Sequence, residues 1–135
     1  MNLIVCVDDR MGMLFNMRRQ SSDRVLRARI LELTRSSVLY MNGFSAKQFA
    51  GMEMPQVRVS ESPMEEAGER DFCFVENLPL LPYQHKIKRL ILYRWNRHYP
   101  ADKHFDLPLS AFRLIQTSEF SGYSHENITE EIYEL

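Results

Sequence analysis

Three features of the chain predict an α/β fold, with short helices flanking a mixed sheet that is mainly parallel and ends in antiparallel strands. The amino-terminal part alternates apolar runs with a helical repeat, Leu3 to Val7, then Asp23 to Leu33, then Ser37 to Met41. Strand, helix, strand in succession favours parallel pairing through crossovers. Two later runs, Phe72 to Val75 and Arg89 to Tyr93, are nearly continuous in apolar residues, as strands covered on both faces are. The last third offers strand-like pieces at Phe112 to Thr117 and Thr129 to Tyr133, which suit an antiparallel finish.

Composition narrows the function classes. A chain of 135 residues is expected to form one domain over 1–135, large enough for a core and too small for a second one. A formal net charge of -1 gives no electrostatic argument for a nucleic-acid partner, so Arg18-Arg19, Arg24 to Arg29 and Lys86 to Arg89 read as solvated faces. No apolar run approaches the roughly 20 residues a bilayer span needs, and Met1 to Asp8 lacks the basic start and length of a secretory signal. A cytoplasmic protein without a membrane partner is the expectation. Cys6 and Cys73 each lie in an apolar run with no CxxC or His-Cys spacing, which favours buried structural thiols over a zinc site or a disulfide framework.

In order, Leu3 to Val7 is a β-branched strand that stops at the polar, glycine-containing Asp8-Asp9-Arg10-Met11-Gly12. Met13 to Gln20 shows no clean period and reads as a loop. Ser21-Ser22-Asp23 supplies helix caps, and Val25, Leu26, Ile30 and Leu33 share one helical face, predicting a helix from about Asp23 to Leu33. The strand Ser37 to Met41 ends at Asn42-Gly43, after which Ser45 is expected to cap a brief helix through Phe49. Gln56 to Val59 is a short strand. Ser60 to Ala67 carries capping serines, Pro63 suited to a first helical turn and acids near the positive end of the dipole, giving one or two turns of helix. Leu78 to Pro82 opposes a helix interior, with a turn possible around Tyr83 to Lys86. Trp95 to Asp102 is an aromatic and polar loop.

This order of pieces resembles the dihydrofolate reductase family. Leu3-Ile-Val-Cys-Val-Asp8 is similar to its opening strand, and Arg29 to Gly43 to its first helix running into the strand that ends in Met-Gly. Asp71-Phe-Cys-Phe-Val75 is similar to the strand before its paired glycines. Ile87 to Tyr93, Ala101 to Asp106, Phe112 to Leu114 and Ile132 to Glu134 resemble its ending. The resemblance covers most of the chain and implies a dihydrofolate reductase-like fold, NADPH as cofactor and a catalytic carboxylate at the start of the first helix. Asp23 is the acid placed to match that carboxylate, although its spacing to Thr34 is longer than the family pattern, no Leu-Pro-Trp segment precedes it, and it is also a good helix cap.

Other departures count against NADPH. The paired glycines that let the family's cofactor approach the backbone are here Glu76 and Asn77, whose side chains would fill that space and whose charge would repel phosphates. After Gly43 comes Phe44-Ser45-Ala46-Lys47, leaving Lys47 as a single candidate cation in place of the family's basic pattern.

In open α/β sheets ligands favour the crevice beyond the carboxyl ends of parallel strands. If the strands ending at Val7, Met41 and Val75 lie side by side, Asp8, Asp9, Asn42, Gly43, Glu76 and Asn77 converge on one edge. Clustered carboxylates there could bind a hard cation, raise one another's pKa, or accept hydrogen bonds from an amino-substituted ring, and they could equally cap turns in water. His85, His98, His104 and His125 have no metal-binding spacing, and no Gly-x-Ser-x-Gly or phosphate loop is present. Tyr93 to Tyr99 mixes cations and aromatics as a single-strand nucleic-acid surface would; the alternative pairs its arginines with Glu126, Glu130, Glu131 and Glu134 while Trp95 and Tyr99 cover the sheet edge.

The expected function is binding of a small heterocyclic or nucleotide-like ligand beside Asp8 and Glu76, without conventional reductase activity. One alternative is a non-catalytic interaction or regulatory module whose eight methionines and Trp95 loop form a partner or homo-oligomer surface. The other is a divergent NADPH-dependent reductase.

Overall fold

A computed structural model describes residues 1–135. In chain order the strands are β1 (Asn2–Val7), β2 (Gly12–Phe15), β3 (Arg18–Arg19), β4 (Leu39–Met41), β5 (Val57–Val59), β6 (Phe72–Phe74), β7 (Arg89–Arg94), β8 (Lys103–His104), β9 (Arg113–Phe120) and β10 (Ile128–Glu134). The α-helices are α1 (Arg24–Leu33), α2 (Gly43–Ala46) and α3 (Pro63–Glu66), with 3-10 turns at Lys47–Phe49, Leu81–Lys86 and Leu109–Ala111.

Seven strands form the main sheet in the order β5-β4-β6-β1-β7-β10-β9. The first five run parallel, β10 pairs antiparallel with β7, and β9 pairs antiparallel with β10. This is the mixed, mainly parallel architecture with an antiparallel ending that the pattern of runs implies. β1 holds the centre because it can be dry on both faces: Leu3, Val5 and Val7 enter one core, and Ile4 the other, all fully buried. At about 1.5–3 kcal/mol per buried aliphatic side chain, that strand alone anchors the sheet strongly. One face is covered by α1 and the Lys47–Phe49 turn, through Leu26, Ile30 and Phe49 against Ile4, Phe74 and Ile91. The other is covered by Met64, Leu80, Ile87, Leu107 and Phe112 from the segments between strands.

The structure revises several local expectations. Residues 13 to 20 are no loop: β2 and β3 form a hairpin, with Leu14 opposite Arg19 and Phe15 opposite Arg18. β8 pairs with the other side of β2 to complete a small three-stranded sheet. The two hairpin loop residues, Asn16 (φ 51) and Met17 (φ 60), both adopt the left-handed region, as a type I′ turn requires. Ser45 does not cap α2. Asn42 does, its side chain accepting from the Ser45 N–H at 3.0 Å, while the Ser45 hydroxyl is buried inside the helix.

The methionine surface is also not there. Met1, Met13, Met41 and Met64 are buried, Met11, Met52 and Met54 pack against the cores, and only Met17, at the hairpin tip, is largely exposed. Trp95 is buried too, which removes it from any nucleic-acid stacking platform. Of the arginines near it, Arg94 pairs with Glu131 at 2.6 Å. No helix is long and apolar enough to cross a membrane.

Candidate functional site

β4, β6 and β1 are neighbours and parallel, so their carboxyl ends deliver Asn42-Gly43, Glu76-Asn77 and Asp8 to one edge of the sheet. The β2–β3 hairpin is laid against this edge and supplies what the strand-end residues bind. Arg19 is the centre of it. Its Nε and Nη2 donate to the two Glu76 carboxylate oxygens at 2.7 and 2.9 Å, and Nη2 also donates to the Phe44 carbonyl at 3.0 Å. The guanidinium lies 4.7 Å from the centre of the Phe44 ring. A planar fork against a carboxylate and an aromatic face is the geometry an arginine is suited to.

Beside that pair, Asn42 Nδ2 donates to Asn77 Oδ1 at 2.8 Å, tying the ends of β4 and β6 together. The first free N–H of α2, on Gly43, donates to Glu61 Oε2 at 3.0 Å. Where a helix start could receive an anion, this chain places its own carboxylate.

Asp8, next along, is buried and fully engaged. Oδ1 accepts from the N–H groups of Gly12 at 2.7 Å and Arg10 at 2.9 Å, and Oδ2 from the N–H of Tyr99 at 3.0 Å. Gln20 Nε2 stands 3.5 Å from Oδ2, so adjacent hairpin residues, Arg19 and Gln20, reach Glu76 and Asp8 respectively. Burial pushes the Asp8 carboxyl up, but the N–H groups of Tyr99, Gly12 and Arg10 outweigh it and hold it below the usual range. Mutual repulsion between clustered carboxylates would move it the other way. Asp9 and Lys47 are exposed and stand outside this constellation.

The hairpin and the loop after β7 enclose a cleft of about 290 Å³, lined by Phe15, Arg18, Arg19, Gln20, Tyr99 and Pro100 among others. Three of its seven wall residues are held by Asp8 and Glu76: Arg19 by the ion pair, Gln20 by contact and Tyr99 by its N–H. One side-chain oxygen of Gln20, Oε1, is buried and accepts no hydrogen bond from the protein.

Asp23 lies at the start of α1 as the helix N-cap. Oδ1 accepts from the N–H groups of Val25 at 2.9 Å, Tyr123 at 3.0 Å and Leu26 at 3.3 Å. Oδ2 accepts from the Ser124 N–H at 2.9 Å and hydroxyl at 3.1 Å, and lies 2.9 Å from His125 Nδ1. Burial would raise this carboxyl; the donors from Tyr123, His125, Ser124 and Leu26 together hold it far below the ordinary carboxylate range. A carboxylate so saturated is held ionised as the helix cap and as the acceptor facing His125.

Sequence reasoning found the strand-end residues but not Arg19, Gln20, Tyr99 or His125. In the sequence Arg19 reads as part of a solvated basic face, and nothing local marks a partner 57 residues away. The spacing of His125 speaks only to metal binding, whereas its partners Asp23 and Ser21 lie 102 and 104 residues off.

No family model and no curated protein matches the chain. Among solved structures it is similar to dihydrofolate reductase from Enterococcus faecalis complexed with NADP(H) and RAB-propyl, with a TM-score of 0.67 over 98% of this chain and 94% of that one, at 11% sequence identity. At that identity the likeness is one of backbone architecture, and the chain has the dihydrofolate reductase-like fold.

Proposed function

We propose that the protein binds a small, single heterocycle in the cleft between the β2–β3 hairpin and the loop after β7, and that it is not a conventional NADPH-dependent reductase. The observation that carries the reading is the cleft itself. At about 290 Å³ it lies at the lower end of small-molecule sites, of roughly 300 Å³ and upward, which suits one ring system and not a dinucleotide. Phe15 and Tyr99 offer aromatic faces and Arg18 a cation. Asp8 and Glu76 serve this reading by fixing the walls through their partners. They need not touch the ligand.

The cofactor side supports the same conclusion. Glu76 and Asn77 stand where the resembling family has its paired glycines, and the Asn42–Asn77 bond and the Arg19 side chain fill the approach. Charge repulsion from Glu76 contributes little, because Arg19 neutralises it. The phosphate position at the start of α2 is met by Glu61. These residues do not fit a nicotinamide dinucleotide. A cytoplasmic setting is in keeping with two unpaired cysteines, one of them, Cys73, buried in β6.

Thermal shift with pterins, purine and pyrimidine bases, nucleotides and NADPH tests the proposal. An amino-substituted base or pterin is expected to raise Tm at millimolar concentration, with the rise lost in Arg18→Ala. A rise with NADPH, accompanied by its oxidation with a pterin, would return the protein to the reductases. No rise with any heterocycle removes the binding proposal.

A further inference from the structure

A second constellation lies one residue beyond the cleft wall and reaches past the binding proposal, on which it does not depend. Ser21 Oγ is 3.0 Å from His125 Nε2, and His125 Nδ1 is 2.9 Å from Asp23 Oδ2. The ionised carboxylate can only accept, so Nδ1 carries the proton and Nε2 presents its lone pair to Ser21. The imidazole is held flat by Trp95, with ring centres 4.6 Å apart and an interplanar angle of 27°. Burial is graded along the array: the His125–Asp23 contact is fully enclosed, whereas Ser21 and the Nε2 side are partly open. We infer that Ser21, His125 and Asp23 form an acyl-transfer centre, with Ser21 as nucleophile, His125 as base and Asp23 as the positioning residue.

Tyr99 completes the arrangement. Its hydroxyl lies 3.3 Å from Ser21 Oγ and 3.0 Å from His125 Nε2, while its residue also lines the cleft of Phe15 and Pro100. With the Ser21 O–H directed at Nε2, the Tyr99 O–H donates to Ser21 Oγ, and as Oγ bonds to carbon that O–H turns to the carbonyl oxygen. The substrate class is a small activated ester, whose carbonyl reaches Ser21 from the partly open side of the array. Ser21 Oγ adds to the carbonyl carbon as its proton passes to Nε2, and the C–O bond to the leaving group breaks as the alcohol departs with that proton. Water then attacks the acyl-serine, losing a proton to Nε2. The carboxylic acid leaves as Ser21 recovers the proton. No other reactant is required.

The test is reaction of the whole protein with an alkyl fluorophosphonate, followed by proteolysis and mass spectrometry, in parallel with p-nitrophenyl acetate turnover. One adduct is expected, on Ser21, together with a burst of p-nitrophenol; both disappear in Ser21→Ala. Tyr99→Phe is expected to slow labelling about 10²-fold. His125→Gln is expected to slow it by roughly 10³-fold or more. Should that variant fail to fold, the pH profile of wild-type labelling takes its place and must rise with deprotonation of a single group. No adduct at Ser21 under millimolar probe, labelling spread over Ser22 and Ser124, or folded His125→Gln reacting at the wild-type rate would overturn the assignment.

Discussion

Arg19 and Glu76 meet side by side through two hydrogen bonds of 2.7 and 2.9 Å, joining the second strand of the hairpin to the end of a central strand 57 residues later. Both are largely withdrawn from water, at 22% and 9% side-chain exposure. Replacing Glu76 by Gln leaves the guanidinium without its counter-charge at a partly buried position. The expected loss is about 1–3 kcal/mol, less than for a fully enclosed pair. Urea denaturation measures it, and a loss below about 0.5 kcal/mol would mean that the hairpin is held by other contacts.

A second ion pair joins α1 to a buried carboxylate on β10. Glu130 of β10 is fully buried, accepting from Arg29 Nε and Nη2 at 2.9 Å each and from the Tyr93 hydroxyl at 2.8 Å. Arg29→Met strands that carboxylate, and a loss of about 3 kcal/mol is expected. Adding Glu130→Leu to it removes the stranded charge, so the double variant should be more stable than Arg29→Met alone. Equal stability of single and double variants in the same urea titration would refute this.

Acid sensitivity follows from three depressed carboxyls. In Glu130, burial pushes upward, while Arg29, Tyr93 and Ser118 draw the group below its ordinary value; Asp8 and Asp23 behave alike for the reasons given above. Their folded values lie under the unfolded ones, about 3.9 for Asp and 4.3 for Glu. Their contribution is thus fully present above those values and lost as pH falls through the folded ones. The urea midpoint should be level from pH 7 to about 5 and fall steeply below about 4. Asp23→Asn should flatten that fall; an unchanged slope would show that Asp23 is not among the groups responsible.

Gly122 has no room for a side chain. A Cβ there would stand 2.6 Å from Asp23 Oδ2 and 2.9 Å from the His125 carbonyl. Gly122→Ala is expected to cost about 1–3 kcal/mol by overpacking. It should also change the fluorescence of Trp95, the only tryptophan, through the stacked His125. A melting temperature equal to wild type would show that the loop between β9 and β10 adjusts freely.

The parts of this fold that were legible are those where burial dictates residue type. β1, β6 and β7 announce themselves because strands covered on both faces admit little but apolar side chains, and α1 because Asp23 caps a one-faced helix. The β2–β3 hairpin was hidden because its turn is Asn16-Met17, with a methionine at a left-handed position where glycine is the usual signal. The strand-end residues were legible from topology. Their partners were not, since Arg19, Gln20 and His125 acquire meaning only from groups 12 to 102 residues away.

The cap of α1 carries a consequence for the order of assembly. Asp23 closes the helix start, yet four of its six donors come from Tyr123, Ser124 and His125. β10, which follows them, inserts between β7 and β9. During synthesis, then, the first helix and the central strands wait with an unfinished seam until the final hairpin leaves the ribosome, and a nascent chain stalled before Gly122 should be a target for chaperones and proteases.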